Sequence, residues 1–407
     1  EALKDLIKEA HSRNMKVVLD CSLNHVHPRH FAFQDIVEKG EKSEYKDWFT
    51  VFDYPVRFLH RPHLYANTYK VGWDGNAEEY KTYLEKTFKE TKVPVEVVDD
   101  DGPIIEPTFK AWWGVPDMPK INFKNDGARQ WALDVTEHWI KNFDIDGWRM
   151  DVAKELDFSF WKDFRDVAYS AKKDILLISE IFGDTSQWLQ GERFDGTMNY
   201  SFRETMTDYF ATKRIDNKEF ANSLANLYSM YSFEALSSCQ NLLSSHDVKR
   251  FLNRCGANTD GMFGAIFLQA TFPGIAGIYY GDEIGLGGAD DPFNREPFPW
   301  ESEDKWNKDL LKFTSELMNI KTSQPILRYG NFEMVTYDDN YVIFRRVLND
   351  ESLLCIVNRD LNNKDIELNT NAHSVDIVYG DCTIELDSGK LKITDIADNF
   401  GLIIKES

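Results

Sequence analysis

Apolar residues recur at helical spacing from the start of the chain (Leu3, Leu6, Ile7, Ala10). The helix they predict leads into KVVLD at 16–20, a short apolar run that reads as a buried strand. From 26 to about 118 the periodicity dissolves. This stretch carries Trp48, Tyr54, Tyr65, Trp73, Trp112 and Trp113 among scattered Pro and Gly, and it predicts an inserted, irregular, aromatic-rich subdomain. Order returns with a helix presenting Trp131, Val135 and Trp139 on one face, then a strand at 146–150. A helix carrying Phe158, Trp161, Phe164 and Ala168 follows, then a strand at 174–180. Further strands are predicted at 194–198, 239–243 and 277–280, and an amphipathic helix (Leu310, Phe313, Leu317, Ile320) closes the series. Strands alternating with helices imply a parallel sheet. From about 325 the period changes to two, as in NYVIFRRVL and SLLCIVNRD, which predicts an antiparallel β-sandwich over 325–407.

The α/β strands lie near 18, 148, 177, 196, 241 and 279. A closed (β/α)8 barrel needs eight strands and an open doubly wound sheet is satisfied with fewer, so periodicity leaves both architectures open. Charge narrows the partners instead. A net charge of −21, with no basic block, argues against nucleic acid and against an anionic membrane surface. The least polar run, 262–281, is long enough to raise a membrane span. Pro273-Gly274 breaks it, however, and Asp282-Glu283 follows at once, so it reads as a buried helix and a buried strand. Cys21, Cys239, Cys255, Cys355 and Cys382 are odd in number and lack CxxC spacing, which reads as reduced core thiols rather than a disulfide framework or zinc site. Eleven Trp lean weakly towards a carbohydrate ligand, because flat rings stack on sugar faces. Residue 1 falls inside a helix, so the natural N-terminus is expected to lie upstream; the cytoplasm is the expected location, with secretion left open.

Polar residues gather at the C-terminal ends of the predicted strands, where α/β sheets place their active sites. The first strand ends in Asp20-Cys-Ser-Leu-Asn24-His25, and the second gives Gly147-Trp-Arg149-Met-Asp151-Val-Ala-Lys154-Glu155. The third ends at Glu180, and the fifth runs into Ser245-His246-Asp247. Strand alternation sends Arg149 and Asp151 to the same side, and an adjacent guanidinium favours the ionised carboxylate that a nucleophile requires. Carboxyl groups on neighbouring strand ends can reach the separation of about 5–5.5 Å used by retaining glycosidases. Acid work would require Glu180 to hold its proton, favoured by the Asp151 and Asp247 carboxylates. Taken singly, a strand-end Asp or Glu is more often a helix cap, and a lone Asn-His more often a satisfied structural pair. Carboxylates on several strand ends of one sheet are a different pattern.

At these residues the chain resembles the α-amylase family, glycoside hydrolase family 13. LDCSLNH, GWRMDVAKE, ISEIFG and LLSSHD are similar to its four conserved regions, in family order. MPKIN at 118–122 and Asp-Val-Ala-x-Glu at 151–155, followed by Phe160-Trp161, resemble the neopullulanase, cyclomaltodextrinase and maltogenic amylase subgroup, and IYYGDE at 278–283 resembles the family's eighth barrel strand. The resemblance implies a (β/α)8 barrel over 1–25 and 119–324, an inserted domain B over 26–118 and a C-terminal β-sandwich. It implies Asp151 as nucleophile, Glu180 as general acid/base and Asp247 as the carboxylate that distorts and stabilises the sugar. Arg149 would orient Asp151, His25 and His246 would bind hydroxyls of one glucose, Asp20 would support that cluster, and Glu155 would border the acceptor side. Trp188, Tyr200 and Trp113 are candidate stacking rings, although core packing is the favoured reading for each.

The implied activity is retaining hydrolysis or transglycosylation of α-1,4-linked glucans and maltooligosaccharides, with α-1,6 links and cyclodextrins as further candidates. No organic cofactor is implied. Calcium is a candidate through Asn24, although a hard cation wants six to eight oxygens and the sequence identifies no others. Under the resemblance the first visible strand is barrel strand three, so strands one and two are expected outside this chain, with any N-terminal β-domain that forms a homodimer. Two departures stand out: Ser244 in LLSSHD, and an insert between 50 and 110 longer than the subgroup's. A catalytically silent glucan-binding protein of the same fold remains the competing reading; an open-sheet nucleotide binder lacks a glycine-rich phosphate loop.

Overall fold

The computed structural model describes residues 1–71, 76–359, 364–397 and 400–407, with backbone only at 67–71. Trp73 lies outside the described residues. The chain forms two compact units, Glu1–Glu180 with Glu192–Phe194, and Ile181–Gly191 with Asp195–Ser407.

In the first unit, helix Ala2–Ser12 buries Ile7 and Ala10 and hands over to strand Val18–Cys21. That strand pairs in parallel with Gly147–Met150, which pairs in parallel with Leu176–Ser179. Gly147 is required by the packing: a Cβ there would sit 2.6 Å from the Leu176 carbonyl. Helices Asp126–Phe143 and Phe158–Ala171 connect the strands, started by side-chain caps from Asn125 and Asp157. The first buries Ala128, Ala132, Leu133, Thr136 and Ile140, so the face expected to be buried, Trp131, Val135 and Trp139, is a half-buried flank. Small residues let the backbones approach closely, while the larger rings pack sideways, Trp139 on Phe143 and Trp131 on His30. In the second helix the buried set is Phe160, Trp161, Phe164 and Ala168; Phe158, at its first position, lies under the Arg193 guanidinium instead.

The N-terminal side of these strands is held by charge. Asp146, buried, accepts from Val17 N–H at 2.9 Å and meets His11, Lys16 and Lys172 at 2.7, 3.1 and 2.9 Å. Burial alone would raise its pKa, but these four partners hold the carboxyl well below the usual range.

The inserted stretch is more regular than its sequence suggests. It contains helix Ala77–Thr91, opened by a capping box of Asn76 and Glu79, and helix Phe31–Lys39. Strand Phe58–His60 pairs in parallel with Val95–Val97 and antiparallel with Ile105–Pro107. Phe33, Ile36, Phe58, Leu84 and Phe109 lie in its own buried cluster. The three-residue strands are too short to show a period, whereas helix Ala77–Thr91, with Tyr80, Leu84, Thr87 and Thr91 buried, carried a helical period that the irregular reading passed over.

In the second unit, Met198 beyond strand Gly196–Thr197 bridges in parallel to Gln240, and strand Gln240–Leu242 pairs in parallel with Ile275–Gly277. The strand expected at 277–280 is therefore displaced to 275–277. Beyond it, Tyr280 is drawn off the ladder: its carbonyl accepts from Arg250, whose guanidinium lies over the rings of Tyr279 and Tyr280. The apolar run at 262–281 resolves into the buried helix Asp260–Thr271 and this strand. Two buried basic side chains satisfy carbonyls at that helix's C-terminal end, Lys321 on Ala270 and Phe272, and Arg346 on Thr271. Among the described residues, no helix is long and apolar enough to cross a membrane.

The C-terminal region is antiparallel, as its period-two pattern predicts. Strands Asn331–Tyr337, Val342–Leu348, Glu351–Val357, Gly401–Glu406 and Val375–Tyr379 form one sheet in that order. Ile366–Asn369, Lys390–Thr394 and Thr383–Asp387 form a second. Ile343, Leu354, Ile356, Leu391, Ile393 and Ile404, from both sheets, share one buried core.

Candidate active site

The parallel register of the first unit brings Asp20 opposite Arg149 and Arg149 opposite Ile178, with Asp151 and Glu180 one residue past their strands. Strand alternation points Arg149 and Asp151 the same way. Arg149 Nη1 then donates to Asp20 Oδ1 at 2.8 Å and to Asp151 Oδ1 at 2.9 Å, while Nη2 lies 3.3 Å from Glu180 Oε1. One largely buried guanidinium thus joins three carboxylates. Burial works against its charge, but Glu180, Asp20 and Asp151 outweigh that and raise its pKa above the ordinary value.

The turn after the strand is strained. Val152 adopts φ 49° and ψ 39°, a left-handed conformation that β-branched residues rarely take. That turn aims its N–H at Glu180 Oε2, 2.9 Å away, and Ala153 N–H reaches the Glu180 carbonyl at 3.3 Å. Both oxygens of Glu180 are thus held, Oε1 beside Arg149 and Oε2 by the Val152 N–H. Beside this cluster, burial, with Asp20 and Asp151, pushes the Cys21 thiol up to about 12, which disfavours its thiolate.

His25 stacks on Trp112 with ring centroids 5.1 Å apart, and its Nδ1 lies 3.2 Å from Asn24 Nδ2. Burial, with Lys120, lowers its pKa against the pull of Asp151 and Asp117. The MPKIN segment supports this loop: Ile121 N–H donates to Asn24 O, and Val26 N–H to Pro119 O. Lys120 of the same segment pairs with Glu155 at 2.6 Å, which places Glu155 beside the site. Lys120 escaped the sequence reading, although the motif containing it did not. The Asn24 side chain is buried, and among the described residues its Oδ1 has no hydrogen-bond donor. It offers one oxygen to a cation, and among the described residues no group of three or more His, Cys, Asp or Glu is arranged to hold a metal.

The second unit presents Ser245-His246-Asp247 beyond strand Gln240–Leu242. His246 Nε2 lies 3.1 Å from Asp247 Oδ2, and Asp247 N–H donates to Ser245 Oγ at 3.2 Å. Asn294, fully buried, donates its amide to the carbonyls of Ser245, His246 and Val248 at 3.3, 2.9 and 3.0 Å. Arg295 Nε adds a bond to the His246 carbonyl at 3.1 Å. Below the loop, Ser244 Oγ donates to Asp282 at 2.9 Å, and Arg250 approaches the same carboxylate at 3.3 Å. Burial pushes Asp282 up to about 7 despite both partners. Nothing local in the sequence marks Asn294, which sits on the short 3-10 helix Phe293–Arg295, 47 positions after Asp247.

Tyr200 is only 3% exposed; its ring lies under Phe182 at 3.8 Å and its hydroxyl is 3.3 Å from Ser245 Oγ. It is a packing residue of this loop rather than an open stacking ring, and Phe182 is the exposed ring at that place. Trp188, on the short helix Ser186–Trp188, is half-buried.

Comparison with known proteins agrees with the motifs. The family described as α-amylase, catalytic domain, matches residues 1–94 and 108–326. Neopullulanase 2 of Thermoactinomyces vulgaris is 35% identical over 87% of this chain and 53% of its own length. A cyclomaltodextrinase of Thermoanaerobacter pseudethanolicus is 32% identical over 90% of this chain and 56% of its own. Among solved structures, a debranching enzyme of Nostoc punctiforme matches with a TM-score of 0.82 at 27% identity, over all of this chain and 79% of that one. The chain spans about half the length of the curated relatives it matches. On its matched residues, its conserved motifs and its structural likeness, the chain belongs to the α-amylase family, glycoside hydrolase family 13.

Proposed function

We propose that the whole protein is a retaining α-glucan hydrolase and transglycosylase, cutting α-1,4 links and acting on α-1,6 links and cyclodextrins as well. The observation that carries this is the Arg149 guanidinium shared by Asp20, Asp151 and Glu180 at neighbouring strand ends. Relatives named as neopullulanase and cyclomaltodextrinase support the substrate class. We further assign the parallel strands of both units to a (β/α)8 barrel.

In this reading Asp151 attacks the anomeric carbon while Glu180 gives its proton to the departing glycosidic oxygen, leaving a covalent glycosyl-enzyme. Glu180, now a carboxylate, takes a proton from water or from a sugar hydroxyl, whose oxygen displaces Asp151. Arg149 and the Val152 N–H keep the Glu180 carboxyl in place for both steps. Asp247 stabilises the charge that develops on the sugar, His25 and His246 bind its hydroxyls, and Lys120 with Glu155 borders the acceptor side. The scheme needs no organic cofactor; calcium at Asn24 is tested by comparing turnover before and after chelation.

Substitution Asp151→Asn in the full-length protein is expected to cut turnover of maltotriose by roughly a thousandfold or more. Near-normal turnover would overturn the mechanism. Absence of turnover in the unsubstituted protein, with glucan binding retained, would favour a silent glucan-binding role instead.

A further inference from the structure

The family match stops at residue 94 and resumes at 108, so 95–107 is sequence that the family does not account for. In the structure that segment supplies strand Val95–Val97 and, at its end, strand Ile105–Pro107. It is also one wall of a cavity of about 750 Å³, within the range of small-ligand sites. Pro103, Ile105 and Pro107 come from this segment; Phe52 and Trp113 stand on the lining from elsewhere in the first unit.

Those two rings are unusually bare. Trp113 is 83% exposed and Phe52 67% exposed. Trp113 is also held at φ 50° and ψ 20°, a conformation that costs a non-glycine residue free energy, and a large ring left in water adds to the cost. The lining offers polar heads between its apolar faces, Glu106, Lys110 and Tyr83 among them. Flat rings flanked by dispersed polar groups match a sugar, with its apolar C–H faces and its rim of hydroxyls. A run of stacked rings also links its lining to the site. His25 stacks on Trp112, and Trp112 stacks on Trp113 at 4.8 Å and 15°.

We propose that this cavity is a second α-glucan-binding site, built by the 95–107 segment, which holds a length of chain away from the carboxylate cluster with Phe52 as its open stacking ring. The choice of α-glucan rests on the activity proposed above. On short substrates that cannot span both places it contributes nothing; on long ones it strengthens binding.

Native electrophoresis of the whole chain through gels containing soluble amylose tests this without depending on turnover. Phe52→Ala is expected to bind amylose about threefold to tenfold more weakly than the unsubstituted protein, with Phe52→Trp restoring retardation. In kinetics, Phe52→Ala should raise KM for amylose by a similar factor and leave kcat and KM on maltotriose unchanged. Equal retardation of Phe52→Ala and the unsubstituted protein, or no retardation of either, overturns the proposal. So does a Phe52→Ala chain that changes only its oligomeric state, which would make this face a self-association surface. Retardation that depends on Phe52 in a protein inactive on maltotriose would uphold the binding site while removing the hydrolase reading.

Discussion

The carboxylate cluster of the first unit and the Asp247 loop of the second are held by opposite means. Asp20, Asp151 and Glu180 share one guanidinium, so position and charge are set by the same group. The loop of Ser245, His246 and Asp247 is held mainly through its backbone, by a neutral amide on three carbonyls. A charge hub can influence ionisation as well as geometry, whereas an amide on carbonyls fixes geometry alone. The two regions should therefore fail differently.

Removing the hub is expected to have the largest effect. Arg149→Met should lower kcat/KM on maltotriose by about a thousandfold, or about 4 kcal/mol of barrier, and shift the pH profile, because three carboxylates then lose their common cation. A loss with an unchanged profile would show that Arg149 only positions its neighbours.

Charge also fastens the opposite end of the same strands, at Asp146. Asp146→Asn should cost about 2–4 kcal/mol of stability at pH 7, read as a lower thermal midpoint. The folded carboxyl is depressed, so its contribution is present above about pH 4, the unfolded value, and is lost as pH falls through the lower folded pKa. The gap between the two proteins should accordingly narrow below pH 4. A gap independent of pH would mean that packing, not charge, does the fastening.

Asn294→Asp should have the smallest of these effects, a drop of roughly ten- to hundredfold in kcat with KM changed less. It replaces a donor by a carboxylate facing three carbonyls, so the loop carrying Asp247 shifts while the charge hub is untouched. An unchanged kcat would break the contrast between the two regions.

How much of this the sequence disclosed depends on the length of the signal. Helices with many turns, such as Lys308–Ser323, and strands in long alternation, such as Val342–Leu348, were legible because burial repeats along them. The Asp20, Arg149, Asp151 and Glu180 cluster was legible because strand ends in parallel sheets fall side by side. The inserted strands of three residues and the displacement at 275–277 were not, since each is decided by contacts with distant residues. Asn294 and the Val152 turn were invisible for the same reason: an amide that reaches three carbonyls 46 to 49 positions away, and a strained backbone angle, leave no local pattern. Tyr200 packs in the interior, the reading favoured for it over a stacking ring, and the exposed position falls to its neighbour Phe182, which residue type alone did not single out.

The central claim is that Asp151 forms a bond to the sugar. Incubation with a fluorinated glucosyl fluoride, which forms the glycosyl-enzyme faster than water removes it, followed by peptide mass analysis, tests it directly. The account expects one fluoroglucosyl group on the peptide carrying Asp151, and none in Asp151→Asn. A label on Glu180 or Asp247, or none in a protein that turns over maltotriose, would contradict it.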